Sequence, residues 1–389
     1  MSEDGVSSNM EEGSPGGDRG QLVAGELAEQ EEELYFASQW QLMWRRFKRH
    51  KLAMASLVVL AFIYLVAMFA EFFAPYSPWA YGREYVHMPP QRVRIVNEEG
   101  LQWPFVYGYD QERHPVTRQF QYTVNTDERY PLEFFVRSGE PYRLLGLIET
   151  DIRLFGVEEG YAFLLGADPI GRCLLSRIIH GARVSTTIGL AGEAVALLLG
   201  LLIGGLCGYF GGFIDDLGQR AIEFVRSIPE IPLWMGLAAA VPREWTVVQT
   251  YFAITLVLSF IGWSGIAREV RSKFLSLREE DFIMSAHMVG CKTGRVIRRH
   301  MIPSFMSHII ASATIAIPGM IIGETALSFL GLGMRPPAIS WGVLLTAAQN
   351  IRTVALAPWL LLPGVAVIVT CLAFCFLGDG LRDAADPYN

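Results

Sequence analysis

Three groups of residues in this sequence have types and spacing that chemistry could use. Gly262-Trp263-Ser264-Gly265 lies in an apolar run and has the Gly-x-Ser-Gly spacing of an intramembrane serine nucleophile. Such a serine needs a histidine at matching depth to take its proton. The seven histidines are His50, His87, His114, His180, His287, His300 and His308, and only His308 lies near an apolar run, at its edge. Gly262, Ser264 and Gly265 therefore read as small residues that let two helices approach closely. The second group is Glu193 and Glu324, carboxylates inside apolar runs, where a charge costs several kcal/mol unless it faces protein or a wet cavity. Glu193 facing such a cavity would favour cationic ligands; the alternative is a hydrogen bond to a neighbouring helix. Glu324 reads as a residue that fixes helix packing. The third group is the basic stretch from Asp281 to Pro303. Lys292-Thr293 follows Gly290-Cys291, yet no Gly-x-x-x-x-Gly-Lys-Ser/Thr phosphate loop exists, so ATP hydrolysis by this chain is not expected. Cys173, Cys207, Cys291, Cys371 and Cys375 show neither zinc spacing nor a disulfide framework and read as small buried hydrophobes. No catalytic residue, cofactor or metal is expected.

The elements that must position these residues are membrane helices. Apolar residues make up 51% of the 389, and mean hydropathy is +0.30. They are concentrated in blocks long enough to cross a bilayer, which takes roughly 20 helical residues. Six spans are expected: Leu52–Ala74, Val184–Tyr209, Phe224–Val241, Val247–Ile266, Phe305–Leu332 and Leu356–Leu377. The third holds Arg226, Glu230, Pro229 and Pro232, so its first turns should line protein or water rather than lipid. The fold class is all-α and polytopic.

The net charge of −7 is uneven. Residues 1–34 hold ten acids against Arg19, so this tail carries −9 and the remainder +2. It reads as a disordered cytoplasmic tail without the basic start of a signal peptide. Residues 35–74 supply a basic segment, Trp44 to Lys51, and the first span; that cluster favours a cytoplasmic N-terminus. Residues 75–165 alternate like strands at Gln119–Val124 and Leu132–Val136 and should form an external β-rich insertion. Residues 166–389 form the core with five further spans. Alternating sides puts the loop 267–304 inside, and its eight bases agree. Within it, Asp281–Gly290 reads as a short helix capped by Gly290, and Thr293–Met301 as a second that stops near Pro303.

The stretch Asp281–Pro303 resembles the cytoplasmic signature loop of binding-protein-dependent ABC importer permeases. Met284-Ser285-Ala286 stands for the Glu-Ala-Ala triplet, Gly290 for its glycine, and Ile302-Pro303 for its end. Four further segments are similar to the oligopeptide/dipeptide/nickel branch. They are Leu165 to Arg183 with Asp168, Gly171-Arg172 and Ser176-Arg177; Gly208-Tyr209-Phe210-Gly211-Gly212; Leu327 to Gly342; and Leu377 to Pro387.

That resemblance implies the type I ABC importer permease fold. It implies two separate ABC ATPase subunits, a second homologous permease subunit, an external solute-binding protein, and a bilayer of bacterial inner-membrane type with both termini cytoplasmic. No nucleic acid is implied. Asp281, Met284, Ser285, Ala286, Gly290, Arg299 and Pro303 would couple to the ATPase, with Glu193 and Glu324 the candidates along the pathway. The single span and insertion before the core match the second permease of such a pair. Met284 stands where the family has an acid, so any ion pair made there must be lost or supplied by Glu280 or Asp281. Pro169 and Cys173 likewise replace acids. Peptides are the default solute; nickel chelates, oligosaccharides and peptide-like antibiotics are alternatives. The competing class is an ion-gradient-driven secondary transporter, which has no need of the 281–303 loop.

Overall fold

A computed structural model of the chain describes residues 39–97, 100–113, 115 and 120–385. The acidic tail, His114, Gln119 and the closing Asp386-Pro387 lie outside the described residues. The chain starts with α1 (Gln39–Arg49), then α2 (Lys51–Met68) and α3 (Ala70–Phe73). His50 separates the first two and caps α2, its Nδ1 accepting from the Ala53 N–H at 3.1 Å.

Five strands follow. β1 (Arg94–Asn97), β2 (Gly100–Arg113) and β3 (Phe120–Pro131) form an antiparallel sheet in chain order, and β4 (Glu133–Leu144) pairs with β5 (Ile148–Gly156). The strand-like alternation near 119–124 and 132–136 falls in β3 and β4. Register on β2–β3 runs from Arg113 opposite Phe120 to Phe105 opposite Pro131, with a bulge at Tyr107/Gly108. This unit stands on the helices: the Arg153 guanidinium donates to the Ala74 carbonyl at 2.9 Å. Tyr76, Tyr85, Tyr109, Tyr122 and Tyr161 close over Met88, Phe163, Ala167 and Cys173.

The helical core comprises α4 (Leu174–Phe210), α5 (Gly212–Ser227), α6 (Glu230–Ala239), α7 (Val247–Leu277), α8 (Asp281–Met288), α9 (Thr293–Val296), α10 (Ile302–Phe329), α11 (Trp341–Leu345), α12 (Ile351–Leu356) and α13 (Leu362–Ala385). Among the described residues, five stretches are long and apolar enough to cross a membrane: α2, α4, α7, Thr293–Phe329 and Pro358–Ala385. The expected single helix at Phe224–Val241 is instead two pieces, α5 and α6, broken at Ile228-Pro229. Pro229 fixes an extended residue before it and cannot continue the ladder of α5.

Contacts give the direction of each helix. A side chain at Gly200 would meet Ile266, and one at Gly208 would meet Arg271, so α4 and α7 run parallel. Two adjacent parallel helices require a return between them. α5 and α6 provide it: Asp215 pairs with Arg271, a side chain at Gly265 would approach Arg226, and Trp234 lies against Leu258 and Gly323. The pair is therefore a sixth crossing in two parts. α10 runs against α4 (Ser185 to Glu324), α13 against α10 (Gly378 to Ile315), and α2 against α13 (Ala53 to Gly380). Phe47, Gly380 and the 278–292 loop thus share one end, and the β unit occupies the other.

The α4–α7 seam is set by small residues every fourth position: Gly192, Ala196, Gly200, Gly204 and Gly208. A Cβ at Gly204 would lie 2.3 Å from the Ala267 oxygen, and one at Gly200 2.6 Å from Ile266. Small side chains let the backbones approach to contact.

Candidate functional site

The segment at the α1 end is built as a mount and a protruding helix. Ile283 is fully buried and anchors α8, whereas Phe282, Met284, Met288 and Val289 are exposed, the last two by 82% and 84%. Asp281, Ser285, Arg299 and Pro303 are also exposed. Ala286 is half-buried against the core. The helix ends in a double-bonded cap: Gly290 N–H donates to the His287 carbonyl at 2.9 Å and Cys291 N–H to the Ala286 carbonyl at 3.1 Å. Gly290 has φ +81°, the left-handed geometry this cap requires, and no atom lies within 4 Å of where its Cβ would be.

The mount is held from three sides. Asp215 on α5 takes a bidentate pair from Arg271 on α7. Tyr209 at the end of α4 shares a 3.2 Å hydrogen bond with His287. Arg278 donates to the Tyr209 carbonyl at 3.4 Å. The second helix of the loop does not stop at Pro303 as expected. It widens into a π turn over Ile297–Met301, with Ile302 N–H bonded to the Ile297 carbonyl, and continues to Phe329. Wider i→i+5 bonding accommodates a residue without an N–H. The loop is thereby joined to α10 by unbroken helix.

The two intramembrane carboxylates differ. Glu324 is fully buried; its oxygens accept from Ser185 at 3.0 Å and Ser328 at 2.7 Å. Those hydroxyls in turn accept from the Trp341 and Met334 N–H groups. Glu324 thus ties α4, α10 and α11 together. Glu193 is 4% exposed, and its Oε1 is buried without a hydrogen-bond partner. Ser264 is buried and donates to the Ile261 carbonyl at 2.9 Å. A Cβ at Gly262 would meet Met320 at 2.4 Å and Ala196 at 3.3 Å, a close-packing position.

At the opposite end the Leu165–Arg183 segment forms a tight turn. Asp168 Oδ1 accepts from the N–H groups of Ile170 and Arg172, both at 3.0 Å, and Oδ2 from Arg172 Nε at 2.6 Å. Gly171 has φ +81°, and a Cβ there would sit 1.9 Å from the Gly82 oxygen. Arg183 clasps the end of α2. It bonds both oxygens of Glu71, at 2.7 and 2.8 Å, and the Ala67 and Met68 carbonyls. Burial would raise the Glu71 carboxyl, but the Arg183 hydrogen bonds and charge hold it below its ordinary value. Sequence reading did not pair Glu71 with Arg183 or Asp215 with Arg271; 112 and 56 residues separate the partners.

Six crossings, one of them broken, a protruding amphipathic helix between two of them and a β unit at the opposite end together define a membrane-embedded transport subunit. Residues 197–388 match the family described as binding-protein-dependent transport system inner membrane component, and residues 38–90 match the N-terminal TM domain of oligopeptide transport permease C. The oligopeptide transport system permease protein OppC of Haemophilus influenzae is 32% identical over 361 residues, covering 92% of this chain and 91% of that one. The dipeptide transport system permease protein DppC of Lactococcus lactis is 29% identical over 351 residues, covering 88% and 89%. The chain belongs to the binding-protein-dependent ABC importer permeases of the oligopeptide/dipeptide kind. A solved methionine ABC transporter in an inward-facing form overlaps with TM-score 0.41 and 16% identity, covering 54% of this chain and 96% of that one.

Proposed function

We propose that this permease imports peptides or related small solutes as one half of a heterodimer, with α8 docked on a separate ATPase subunit. In this reading the α8 end and both termini face the cytoplasm, and the β unit faces outward. The observation that carries it is the exposed apolar face of α8, Phe282, Met284, Met288 and Val289, held by buried Ile283. An amphipathic helix with its apolar side unpartnered suits a hydrophobic groove. Met284 standing where relatives of this branch have an acid fits such a contact, because apolar burial replaces the ion pair.

Movement of α8 then has two outlets, reached through the short connections 278–280 and 289–292. α7 has 31 residues, and the Thr293–Phe329 helix, which contains the π turn and Pro318, has 37. At about 1.5 Å per residue each spans the bilayer and can carry a displacement toward the β-unit end. Of the pathway candidates, Glu193 has a buried oxygen without a partner, which a cationic solute would reach only after α4 and its neighbours move apart, and Glu324 braces α4, α10 and α11. The insertion 75–165 suits contact with the solute-binding protein or cover for the outer mouth. The domain limits 1–34, 35–74, 75–165 and 166–389 belong to the same proposal.

The test is co-purification of the chain with its ATPase subunits after Met288→Asp and Val289→Asp. Both side chains are exposed, so folding is spared, whereas Ala286→Arg would also disturb the mount. Capture and uptake should both be lost. Variants that hold the ATPase and import normally would refute docking through α8. A chain that moves solute alone would select the ion-gradient alternative.

A further inference from the structure

We infer that the cavity beside Arg177, at the β-unit end of α4, binds a carboxylate group about as large as one amino-acid side chain. The cavity measures about 190 Å³ and lies between Asp168, Arg172 and Arg177 on one wall and Pro336, Leu344 and Leu360 on another. Arg177 is only 3% exposed, and neither its Nε nor its Nη1 has a hydrogen-bond partner. Asp168 does not supply one. It stands 3.7 Å from Nη1, and its oxygens are already taken by two backbone N–H groups and the Arg172 side chain. Two guanidinium groups face one carboxylate, which leaves one uncompensated positive charge where water is scarce.

A buried charge without a full set of partners is costly by several kcal/mol. One further anion in the cavity removes the imbalance of two arginines on one aspartate. The singly charged carboxylate matches the single excess charge, and the aliphatic wall suits a short hydrocarbon body. The volume is enough for such a group.

The experiment follows the thermal unfolding midpoint of the full-length chain in detergent during titration with sodium butyrate, against sodium chloride at equal ionic strength. A ligand that binds only the folded state raises the midpoint in a saturable way. Butyrate should do so and chloride should not. The response should vanish in Arg177→Gln and in Ala347→Phe, which fills the cavity and leaves the arginine in place. Two further probes separate the sources: N-acetylalanine carries a chain-end carboxylate, and N-acetylglutamate α-amide only a side-chain one. A shift with the first alone assigns the site to a free acid or chain end. A shift with the second assigns it to an acidic side chain offered by a docked protein. No shift with any of the three, a shift equalled by chloride, or a response that survives Ala347→Phe overturns the inference.

Discussion

Adjacent glycines on α4 should respond in opposite ways to the same substitution. A Cβ at Gly204 would lie 2.3 Å from the Ala267 carbonyl oxygen and 2.9 Å from its Cα, so the obstacle is the backbone of α7. No rotamer change relieves it. Ordinary contact begins near 3.4 Å, so α7 must withdraw by about 1 Å. Overpacking of this kind costs about 1–3 kcal/mol, here toward the upper end because backbone must move. Replacing glycine by alanine inside a helix returns about 0.5–1 kcal/mol. Gly204→Ala should therefore destabilise by about 2 kcal/mol. At Gly205 the Cβ would lie 3.4 Å from the edge of the Phe274 ring, an ordinary contact. Gly205→Ala should be neutral or stabilising by up to about 1 kcal/mol. The assay is the unfolding midpoint of each variant in detergent, paired with solute uptake in cells. Gly204→Ala should lower both, and Gly205→Ala neither. Equal midpoints for the two variants would refute the backbone-contact account of the seam.

Glu324→Ala should cost about 2–6 kcal/mol, because it strands two buried hydroxyls that each forfeit about 1–3 kcal/mol, while Glu324→Gln should lose less; denaturation in detergent measures both. The Glu71 carboxyl is held below its ordinary value in the fold, so its contribution is complete above the unfolded value of 4.5 and is lost as pH falls through the folded one. An unfolding series from neutral pH into acid should show that loss in the native chain, and Glu71→Gln should flatten it. Pro303→Ala restores a donor that permits ordinary helical bonding through Ile297–Met301, rotating α9 relative to α10. Uptake should fall while the unfolding midpoint changes little; normal uptake would show that the π turn has no part in transmission.

The spans were legible because apolar blocks of bilayer length leave few alternatives, and the loop helix because Gly290 is an unambiguous stop. Strands near 120–124 and 133–136 could be read from alternation. The break at Ile228-Pro229 was signalled by Pro229 and Pro232, yet whether two short pieces complete a crossing depends on where α7 stands beside α4. That is tertiary information. The five small residues from Gly192 to Gly208 recur every fourth position, a pattern visible in the sequence, but their partner is not. Pro303 reads as a terminator by local rules; the π turn over Ile297–Met301 carries the chain through. The Glu71–Arg183 and Asp215–Arg271 pairs bridge distant segments and follow only from the fold.

The parallel course of α4 and α7 also has an electrostatic consequence. Aligned peptide units give a helix roughly half a unit of positive charge at its start and as much negative charge at its end. Antiparallel neighbours cancel these ends; α4 and α7 add them. Both C-termini meet at the α8 end, where Arg278 donates directly to the Tyr209 carbonyl and Arg271 and Lys273 stand nearby in sequence. The basic loop is thus matched to two summed negative poles as well as to a membrane surface. Both N-termini lie at the β-unit end, one next to Arg177 and the other capped by Thr246 and Gln249. That end of the helix pair is biased toward negative groups before any side chain of a solute is considered.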